Sequence, residues 1–131
     1  MDIVLGDYSE DKYIKIENNG CGPAIICESN FSIEDICEDS PKRAYNKYLQ
    51  KKGNDIIKDN VWETFVDNIN ERTIGAEREK IIIHLKSNNK ELNDQFLKVF
   101  SKMKIKIRYK DTYNRQKTIE RTCLFFGRND I

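Results

Sequence analysis

The segment KMKIKIRYK, residues 102–110, constrains the fold most, because charged and apolar side chains alternate along it without a break. Its cationic positions are Lys102, Lys104, Lys106, Arg108 and Lys110. Successive side chains of a β-strand point to opposite faces of a sheet, so the pattern predicts a strand with Met103, Ile105 and Ile107 toward the core. The register is strongly specified, since a slip of one residue would bury the ammonium groups without partners.

Turn and capping signals upstream of this strand predict one hairpin and three helices. Asn19-Gly20 is a favoured two-residue turn, which predicts a hairpin between residues 13–18 and 24–27. Three capping patterns predict helix starts. SIED (32–35) begins a short helix with Ile33, Ile36 and Cys37 inward. Ser40-Pro41 begins a second helix that ends at Gly53, with these residues inward: Ala44, Tyr45, Tyr48 and Leu49. NVWE (60–63) begins a third helix that extends to Arg72.

The second half of the chain predicts alternating strands and a helix. The continuous apolar run KIIIHL (80–85) is typical of a strand covered on both faces, and NNKE (88–91) predicts the start of a helix over 89–101. Residues 117–126 are expected to pair back on the cationic strand. Because a helix connects strands 80–85 and 103–110, we expect a right-handed βαβ unit in which these strands are parallel.

These elements predict a single α+β domain over residues 1–131. It has an N-terminal β-hairpin, about three helices, and then a β-α-β-β unit whose mixed or antiparallel sheet packs on the helices. At 131 residues the chain is long enough to bury a core, which is expected to contain Trp62, Phe65, Ile82, Phe96 and Phe100. The first thirteen residues are acidic and lack a long apolar run, which argues against a secretory signal or membrane span and favours a cytoplasmic protein.

Charge is distributed unevenly along the chain. The formal net charge is +1, but residues 1–40 hold ten acids and two bases, whereas residues 41–131 hold twelve acids and 21 bases. Residues 101–122 alone carry eight bases and two acids. Such charge segregation indicates which kinds of partner the protein can bind and does not indicate its fold. A candidate acidic surface consists of Asp7, Glu10, Asp11, Glu34, Asp35, Glu38 and Asp39.

No residue pattern predicts catalysis, a metal site or a cofactor. The one histidine, His84, lies inside the predicted strand KIIIHL and is interpreted as a core or half-buried side chain bonded to its neighbours. The cysteines lack zinc-finger spacing and are expected to be free thiols in or near the core: Cys21, Cys27, Cys37 and Cys123. The Gly-rich segment NNGCGPA (18–24) lacks the Lys-Ser/Thr of a phosphate-binding loop.

Residues 96–130 resemble the end of the ATPase region in the virulence-associated E family of phage and plasmid helicase-like proteins. The positions that match the family's "R-x-x-x-F-x-G-T-x-N" strand are Arg121, Phe125, Gly127 and Asn129, and Tyr113-Asn114-Arg115 matches its basic hairpin. The resemblance covers about a quarter of the chain. No phosphate-binding loop precedes it, and IIIHLKS lacks the family's acidic pair, so no ATPase activity is carried over.

The basic stripe is therefore the strongest functional candidate, and three interpretations compete for it. The first is a small non-enzymatic binding protein that acts through charged surfaces on a macromolecule, either a protein or a protein–nucleic-acid complex. Inhibitors and immunity-type proteins of phages and mobile elements, such as anti-CRISPR-like or toxin-neutralising proteins, are of this kind. The predicted partner-binding residues are Lys102, Lys104, Lys106, Arg108, Lys110, Arg115, Lys117, Tyr109 and Tyr113.

The second interpretation is a nucleic-acid-binding protein that uses the basic hairpin 102–121. Its cations would contact phosphates, and Tyr109 and Tyr113 would stack on bases. The near-zero net charge and the acidic first segment argue against it. The third interpretation, an enzyme, is ranked last because no site is visible. A solvated sheet face without a partner remains the plain alternative to all three, and the sequence specifies no oligomeric state.

Overall fold

The computed structural model describes residues 1–52, 62–66 and 68–128, which form two antiparallel sheets and two α-helices. The strands are β1 (Asp2–Asp7), β2 (Asp11–Glu17), β3 (Ala24–Ile33), β4 (Ile36–Glu38), β5 (Trp62–Phe65), β6 (Thr73–Ile74), β7 (Glu79–Lys86), β8 (Met103–Lys110) and β9 (Gln116–Thr122). The helices are α1 (Pro41–Lys52) and α2 (Lys90–Phe100), and a 3₁₀ turn covers Leu124–Gly127. The α+β class is confirmed, but the described residues are mostly sheet and hold two helices rather than about three.

The four-stranded sheet has the order β1-β2-β7-β5. Gly6 of β1 lies opposite Tyr13 of β2, and a Cβ atom at Gly6 would come within 2.1 Å of the Tyr13 ring. Glycine is therefore required where this ring crosses the neighbouring strand. A β-bulge in β7 adds one residue, because Ile14 pairs with Ile83 and the next residue of β2 pairs with Ile81.

The five-stranded sheet has the order β4-β3-β8-β9, and the short strand β6 pairs with the start of β3. In β8 the cationic residues Lys104, Lys106 and Arg108 are exposed and Lys110 is half-buried, whereas Met103, Ile105 and Ile107 are fully buried. The predicted strand and its register are therefore confirmed. The predicted hairpin with the following segment is confirmed as far as Thr122, since β9 pairs antiparallel with β8 along its whole length. The predicted continuation to residue 126 is wrong, because Leu124–Gly127 form the 3₁₀ turn.

Both helices begin at the predicted capping residues. The Ser40 hydroxyl accepts a hydrogen bond from the backbone N–H of Arg43 at 3.2 Å, and Pro41 is the first residue of α1. The Asn89 side chain accepts from two backbone N–H groups in the first turn of α2. The predicted end of α1 at Gly53 lies outside the described residues.

One apolar cluster joins both sheets and both helices. In it the Tyr45 ring of α1 stacks on the Phe100 ring of α2 with centroids 5.1 Å apart. The core prediction is confirmed for Ile82, Phe96 and Phe100, which are fully buried. Trp62 and Phe65 are partly buried and pack against the cluster from β5.

The predicted hairpin between 13–18 and 24–27 is wrong, because these segments belong to different sheets. Both edges of β2 are already paired, with β1 and β7, so β3 has no place beside it. The N-terminal hairpin instead joins β1 to β2. At the predicted turn, the Asn18 amide donates to the carbonyls of Gly22 and Ile74, which holds the chain as it crosses to the second sheet.

The predicted helix at SIED is wrong, because Glu34 and Asp35 form the turn between β3 and β4. Glu34 has a φ of 55°, a left-handed conformation that no helix contains. Buried and exposed side chains alternate along β3 up to Ile33, which is buried. Cys37, which was predicted to point inward, is exposed. The capping box at 32–35 fitted the helix start locally, but pairing with β4 and β8 determines the outcome.

The predicted helix over 60–72 is also wrong for its described residues. Residues 62–65 form β5 on β7, and 73–74 form β6 on β3. The aromatic residues of WETF favour a strand as much as a helix, and a free edge of β7 is available to pair with them. Residues 60, 61 and 67 lie outside the described part of the chain.

The predicted parallel βαβ unit is wrong, since β7 and β8 lie in different sheets and every described strand pair is antiparallel. Helix α2 connects the two sheets rather than two strands of one sheet. The preference for right-handed βαβ crossovers, which concerns parallel strands of one sheet, therefore does not apply here. The predicted two-sided burial of 80–85 is wrong as well. Ile81 is 36% exposed, and the bulge at Ile82 explains the continuous apolar run.

Candidate functional site

The outward side of the five-stranded sheet is the main candidate surface, here called the open face. It consists of the outward side chains of three adjacent strands: Ile25, Glu28, Asn30 and Ser32 of β3, Lys104, Lys106, Arg108 and Lys110 of β8, and Gln116, Thr118, Glu120 and Thr122 of β9. All are exposed or half-buried. Because side chains alternate along β8, its four cations all point to the outward side of the sheet. Each cation stands opposite an outward residue of β3 and an outward residue of β9.

Two of the four cations on the open face are paired and two are not. The Lys104 ammonium lies 2.5 Å from the Glu120 carboxylate, and the Arg108 guanidinium lies 2.9 Å from the Glu28 carboxylate. Lys106 and Lys110 make no ion pair with any residue of the described ranges. With four cations and two acids, the open face carries two net positive charges.

The pKa of the Glu120 carboxyl is lowered by its hydrogen bond with Lys104 and by the charges of Lys104 and Lys106. Glu120 therefore remains ionised and stays between two ammonium groups. The acids of the open face thus form a fixed pattern among the cations, and this pattern would select a partner with complementary charges.

The structure does not keep the predicted partner-binding residues together. Lys117 of β9 lies opposite Tyr109, so its side chain is on the other side of the sheet from Lys106. Tyr109 is only 7% exposed, which removes it as a stacking surface. The expectation that Lys117 shares a face with the β8 cations is wrong, because direct neighbours across a strand pair share a face and Lys117 neighbours an inward residue.

Lys102 lies neither among the β8 cations of the open face nor beside Lys117. Its ammonium donates to the Tyr48 hydroxyl at 3.0 Å and lies 3.5 Å from the Glu34 carboxylate, so it is attached to α1 and the β3–β4 turn. The hydrogen bond with Tyr48 raises the pKa of Lys102, with the Glu34 charge as a further cause. Lys102 precedes β8, and therefore the strand's alternation does not determine its direction.

Arg115, Lys117 and Tyr113 line a cleft between two loops, here called the cleft. Its walls are the crossover loop 18–24 and the β8–β9 turn with its flanks, 109–117, and it encloses about 360 Å³. The loops meet where Gly22 packs against Thr112, since a Cβ atom at Gly22 would lie 1.8 Å from the Thr112 hydroxyl oxygen. Sequence reasoning noticed the Gly-rich loop but not the cleft, because the two loops are separated by about ninety residues.

Four of the predicted acidic residues pair with α1, in an arrangement here called the ion-pair ladder. The pairs are Glu34–Lys52, Asp35–Lys51, Glu38–Lys47 and Asp39–Arg43, and Glu38 also lies near Arg43. The bases are spaced along one side of the helix, and the acids follow one another through the β3–β4 turn and β4. The hydrogen bond with Lys51 lowers the pKa of Asp35. The ladder pairs these acids locally, so they do not form the unpaired acidic surface that the sequence suggested.

The remaining predicted acids are dispersed. Asp7 is half-buried and lies 3.0 Å from the Lys12 ammonium and 2.8 Å from the Arg128 guanidinium, which ties the C-terminal turn to β1 and β2. Glu10 is exposed in the β1–β2 turn. Asp11 pairs with His84. The seven acids therefore form no single surface.

The pair of Asp11 and His84 is the nearest approach to a catalytic arrangement. The Asp11 carboxylate lies 2.8 Å from His84 Nε2, on the outward side of the four-stranded sheet. The concavity beside it, about 320 Å³, is also lined by Tyr8, Tyr13, Lys15, Glu79 and Ile81. No serine, threonine or cysteine is among these described lining residues, and the hydroxyl groups beside the dyad are the phenols of Tyr8 and Tyr13. The interpretation of His84 as half-buried and bonded to a neighbour is confirmed.

The four cysteines are free thiols with different exposures. Cys123 is buried, and its burial raises the pKa of the thiol to about 12, whereas Cys21 and Cys37 are exposed and Cys27 is half-buried. The expectation that all four lie in or near the core is therefore wrong for the exposed pair. Across the described residues, no three histidine, cysteine, aspartate or glutamate side chains are placed to hold a metal ion together.

The residues that resemble the virulence-associated E pattern have structural contacts. The Arg121 guanidinium donates to the backbone carbonyl of Ile3 at 2.8 Å, which joins the edge strand β9 to β1. Gly127 packs closely against Ser101, while Phe125 is 39% exposed under the Arg128 guanidinium. Asn129 lies outside the described residues. These contacts account for the matching positions without a nucleotide-hydrolysis site.

Comparisons with family models, with curated proteins and with solved structures find no match for this chain. Neither helix of the described chain is long and apolar enough to span a membrane.

Proposed function

We propose that this protein is a non-enzymatic binding protein whose open face docks on an acidic surface of a protein partner. The observation that carries the proposal is that the exposed Lys106 and the half-exposed Lys110 form no ion pair with a described acid. They lie in one row with Lys104 and Arg108, on a sheet surface that no described element covers. A partner carboxylate placed at this row would gain charge-assisted hydrogen bonds and faster association.

A protein partner fits the open face better than a nucleic acid does. Tight binding to a duplex draws on several phosphate contacts, whereas only two of the four cations here are unpaired. Glu28 and Glu120 would repel a continuous line of phosphates. The open face has no aromatic side chain on which a base could stack, since Tyr109 points inward.

Within this class we propose an inhibitor or immunity-type protein of a phage or mobile element. Such proteins act by surface complementarity and need no assembled active site, and the described residues beside the Asp11–His84 pair include no serine, threonine or cysteine. The test is crosslinking mass spectrometry on the complex formed in the native host. Crosslinks should join Lys106 and Lys110 to a protein partner, and crosslinks confined to the ladder side of α1 would contradict the placement.

The open face itself is tested with defined probes. Polyglutamate, duplex DNA and single-stranded DNA are titrated against the protein and against Lys106→Glu with Lys110→Glu, at low and high salt. Polyglutamate should bind most tightly, and the double variant should lose this binding. The control is Lys90→Glu with Lys98→Glu on α2, which makes the same charge change at exposed lysines without an ion pair to a described residue.

The control variant should retain most of the binding. Equal loss in both double variants would show that net charge alone is responsible and would overturn the role of the open face. Tighter binding to DNA than to polyglutamate, lost in the β8 variant, would favour the nucleic-acid function instead.

A further inference from the structure

We propose that the cleft is a binding site for a small aromatic phosphate of about the size of a mononucleotide. This inference is independent of the proposed docking of the open face, because the cleft lies at the turn end of the β8–β9 hairpin and uses residues whose side chains are not part of the open face. It rests on three observations: fixed walls, an arginine with free donors, and an exposed aromatic ring beside it.

The walls of the cleft are fixed by hydrogen bonds and close packing. The buried Asn18 amide donates to the carbonyls of Gly22 and Ile74, at 3.0 and 2.9 Å, and its oxygen accepts from the Gly20 N–H at 3.0 Å. The Thr112 hydroxyl, in contact with Gly22, donates to the Pro23 carbonyl at 3.4 Å. A site with preformed walls loses little entropy when a ligand binds.

Asp111 orients the cationic side of the cleft. One carboxylate oxygen accepts from the backbone N–H groups of Tyr113 and Arg115, and the other accepts from Arg115 Nε at 2.9 Å and lies 3.8 Å from the Lys117 ammonium. The backbone hydrogen bond from Arg115 is the main cause that lowers the pKa of Asp111. Asp111 is therefore ionised, and it compensates one of the two cations.

The donors that remain suit a phosphate group. Arg115 uses only Nε for Asp111, and its two terminal nitrogens have no hydrogen-bond partner in the described chain. The side chains of Arg115, Lys117 and Asp111 leave one net positive charge, and the Met1 ammonium, which also lines the cleft, adds a second. The Arg115 guanidinium adds a forked set of N–H donors. A guanidinium fork matches two oxygens of one phosphate group, which a single ammonium group does not.

Tyr113 supplies a surface for an aromatic ring. It is 78% exposed, an unusual exposure for a large aromatic side chain, and its ring lies 5.1 Å from the Arg115 guanidinium. A planar base bound to the phosphate would stack on this ring. The cleft volume of about 360 Å³ is at the lower end of the range for small-molecule sites, which limits the ligand to about one nucleotide.

The experiment uses adenosine monophosphate as the probe, with adenosine and inorganic phosphate as its two halves. Binding is measured by calorimetry, and its position is measured by the rate at which maleimide labels Cys21, an exposed thiol that lines the cleft. Adenosine monophosphate should bind saturably and slow the labelling of Cys21, while Cys37, which is outside the cleft, should react at an unchanged rate. Each half should bind at least tenfold more weakly than the whole probe.

Variants locate the binding and separate it from stability. Tyr113→Leu should weaken binding roughly fivefold or more through lost stacking, with an unchanged melting temperature because the ring is exposed. Lys117→Met should weaken binding severalfold, and Arg115→Ala should abolish it. The matched control is Lys106→Met on the open face, which should bind the probe normally and thereby distinguish this site from the proposed docking surface.

Three outcomes would overturn the proposal. The first is no saturable binding at millimolar probe. The second is binding of inorganic phosphate as tight as that of adenosine monophosphate, which would remove the aromatic part. The third is tighter binding of a short single-stranded oligonucleotide, which would identify a polynucleotide in place of a small molecule.

Discussion

The ion-pair ladder on α1 and the open face on β8 are both rows of cations, but only the ladder is neutralised. The α1 bases lie within ion-pair distance of four acids from the turn and strand before the helix. On β8 the neighbouring strands supply one acid each, and Lys106 and Lys110 form no ion pair with a described residue. In the sequence the two rows look alike, so a count of charges does not distinguish a solvated, paired surface from one that is available to a partner.

The difference follows from how each secondary structure arranges its neighbours. A helix packed beside a turn brings residues from a short sequence distance against its side, so the acids at 34–39 reach bases at 43–52. A central strand receives its neighbours from distant parts of the chain, here β3 and β9, and their outward residues are mostly neutral. Local sequence therefore anticipates the pairing of α1 better than that of β8.

The first prediction tests the core packing that holds the ladder helix α1 in position, and it has the largest expected effect. Phe100→Ala should lower the free energy of unfolding by about 3–5 kcal/mol, because the ring is fully buried and stacks on Tyr45 of α1. Chemical denaturation measures the change. The control is Phe125→Ala, which removes a partly exposed ring and should cost far less. Equal losses in the two variants would contradict the assigned core.

The second prediction converts the paired row into an unpaired one. In Asp35→Asn with Glu38→Gln, the ammonium groups of Lys51 and Lys47 lose their partners and should bind a polyanion as the β8 row does. With duplex DNA as the probe at low salt, affinity should rise about tenfold, and the slope of log affinity against log salt should steepen by up to about 2.

A matched change elsewhere controls for net charge in that experiment. Glu77→Gln with Glu91→Gln removes two exposed acids that pair with no described base. It should raise the affinity much less than the ladder variant does. If both variants gain the same affinity for DNA, the ladder does not shield its lysines locally. The difference between the ladder and the open face would then follow from net charge alone.

Sequence reasoning predicted what depends on local pattern. The alternation at 102–110 was sufficient for β8 and its register, and the caps at Ser40 and Asn89 were sufficient for the two helix starts. The errors at 32–35 and 60–72 involve residues whose strands also pair with a remote part of the chain. The capping box at 32–35 and the aromatic spacing at 62–69 are compatible with helices, but pairing with β8 and β7 makes these residues strand or turn.

The candidate site shows the same limit. The sequence predicted the cations but placed Arg115 and Lys117 with the β8 row, because the length of the turn, and hence the register of β9, is not readable from composition. The cleft was not predictable, since its walls are joined only by a tertiary contact between Gly22 and Thr112.

The third prediction has the smallest expected effect on stability. It compares the energetic contribution of a paired lysine of the ladder with that of an unpaired lysine of the open face. A double-mutant cycle with Lys47→Met and Glu38→Gln should give a coupling energy of about 0.2–1 kcal/mol, the usual range for an exposed ion pair. Lys106→Met, at an unpaired site, should change stability by less than about 0.5 kcal/mol in either direction. High salt should reduce the coupling in the first case and leave the second variant unaffected relative to wild type. A loss on Lys106→Met as large as that on Lys47→Met would show that Lys106 has a stabilising partner, and the open face would then be a paired surface like the ladder.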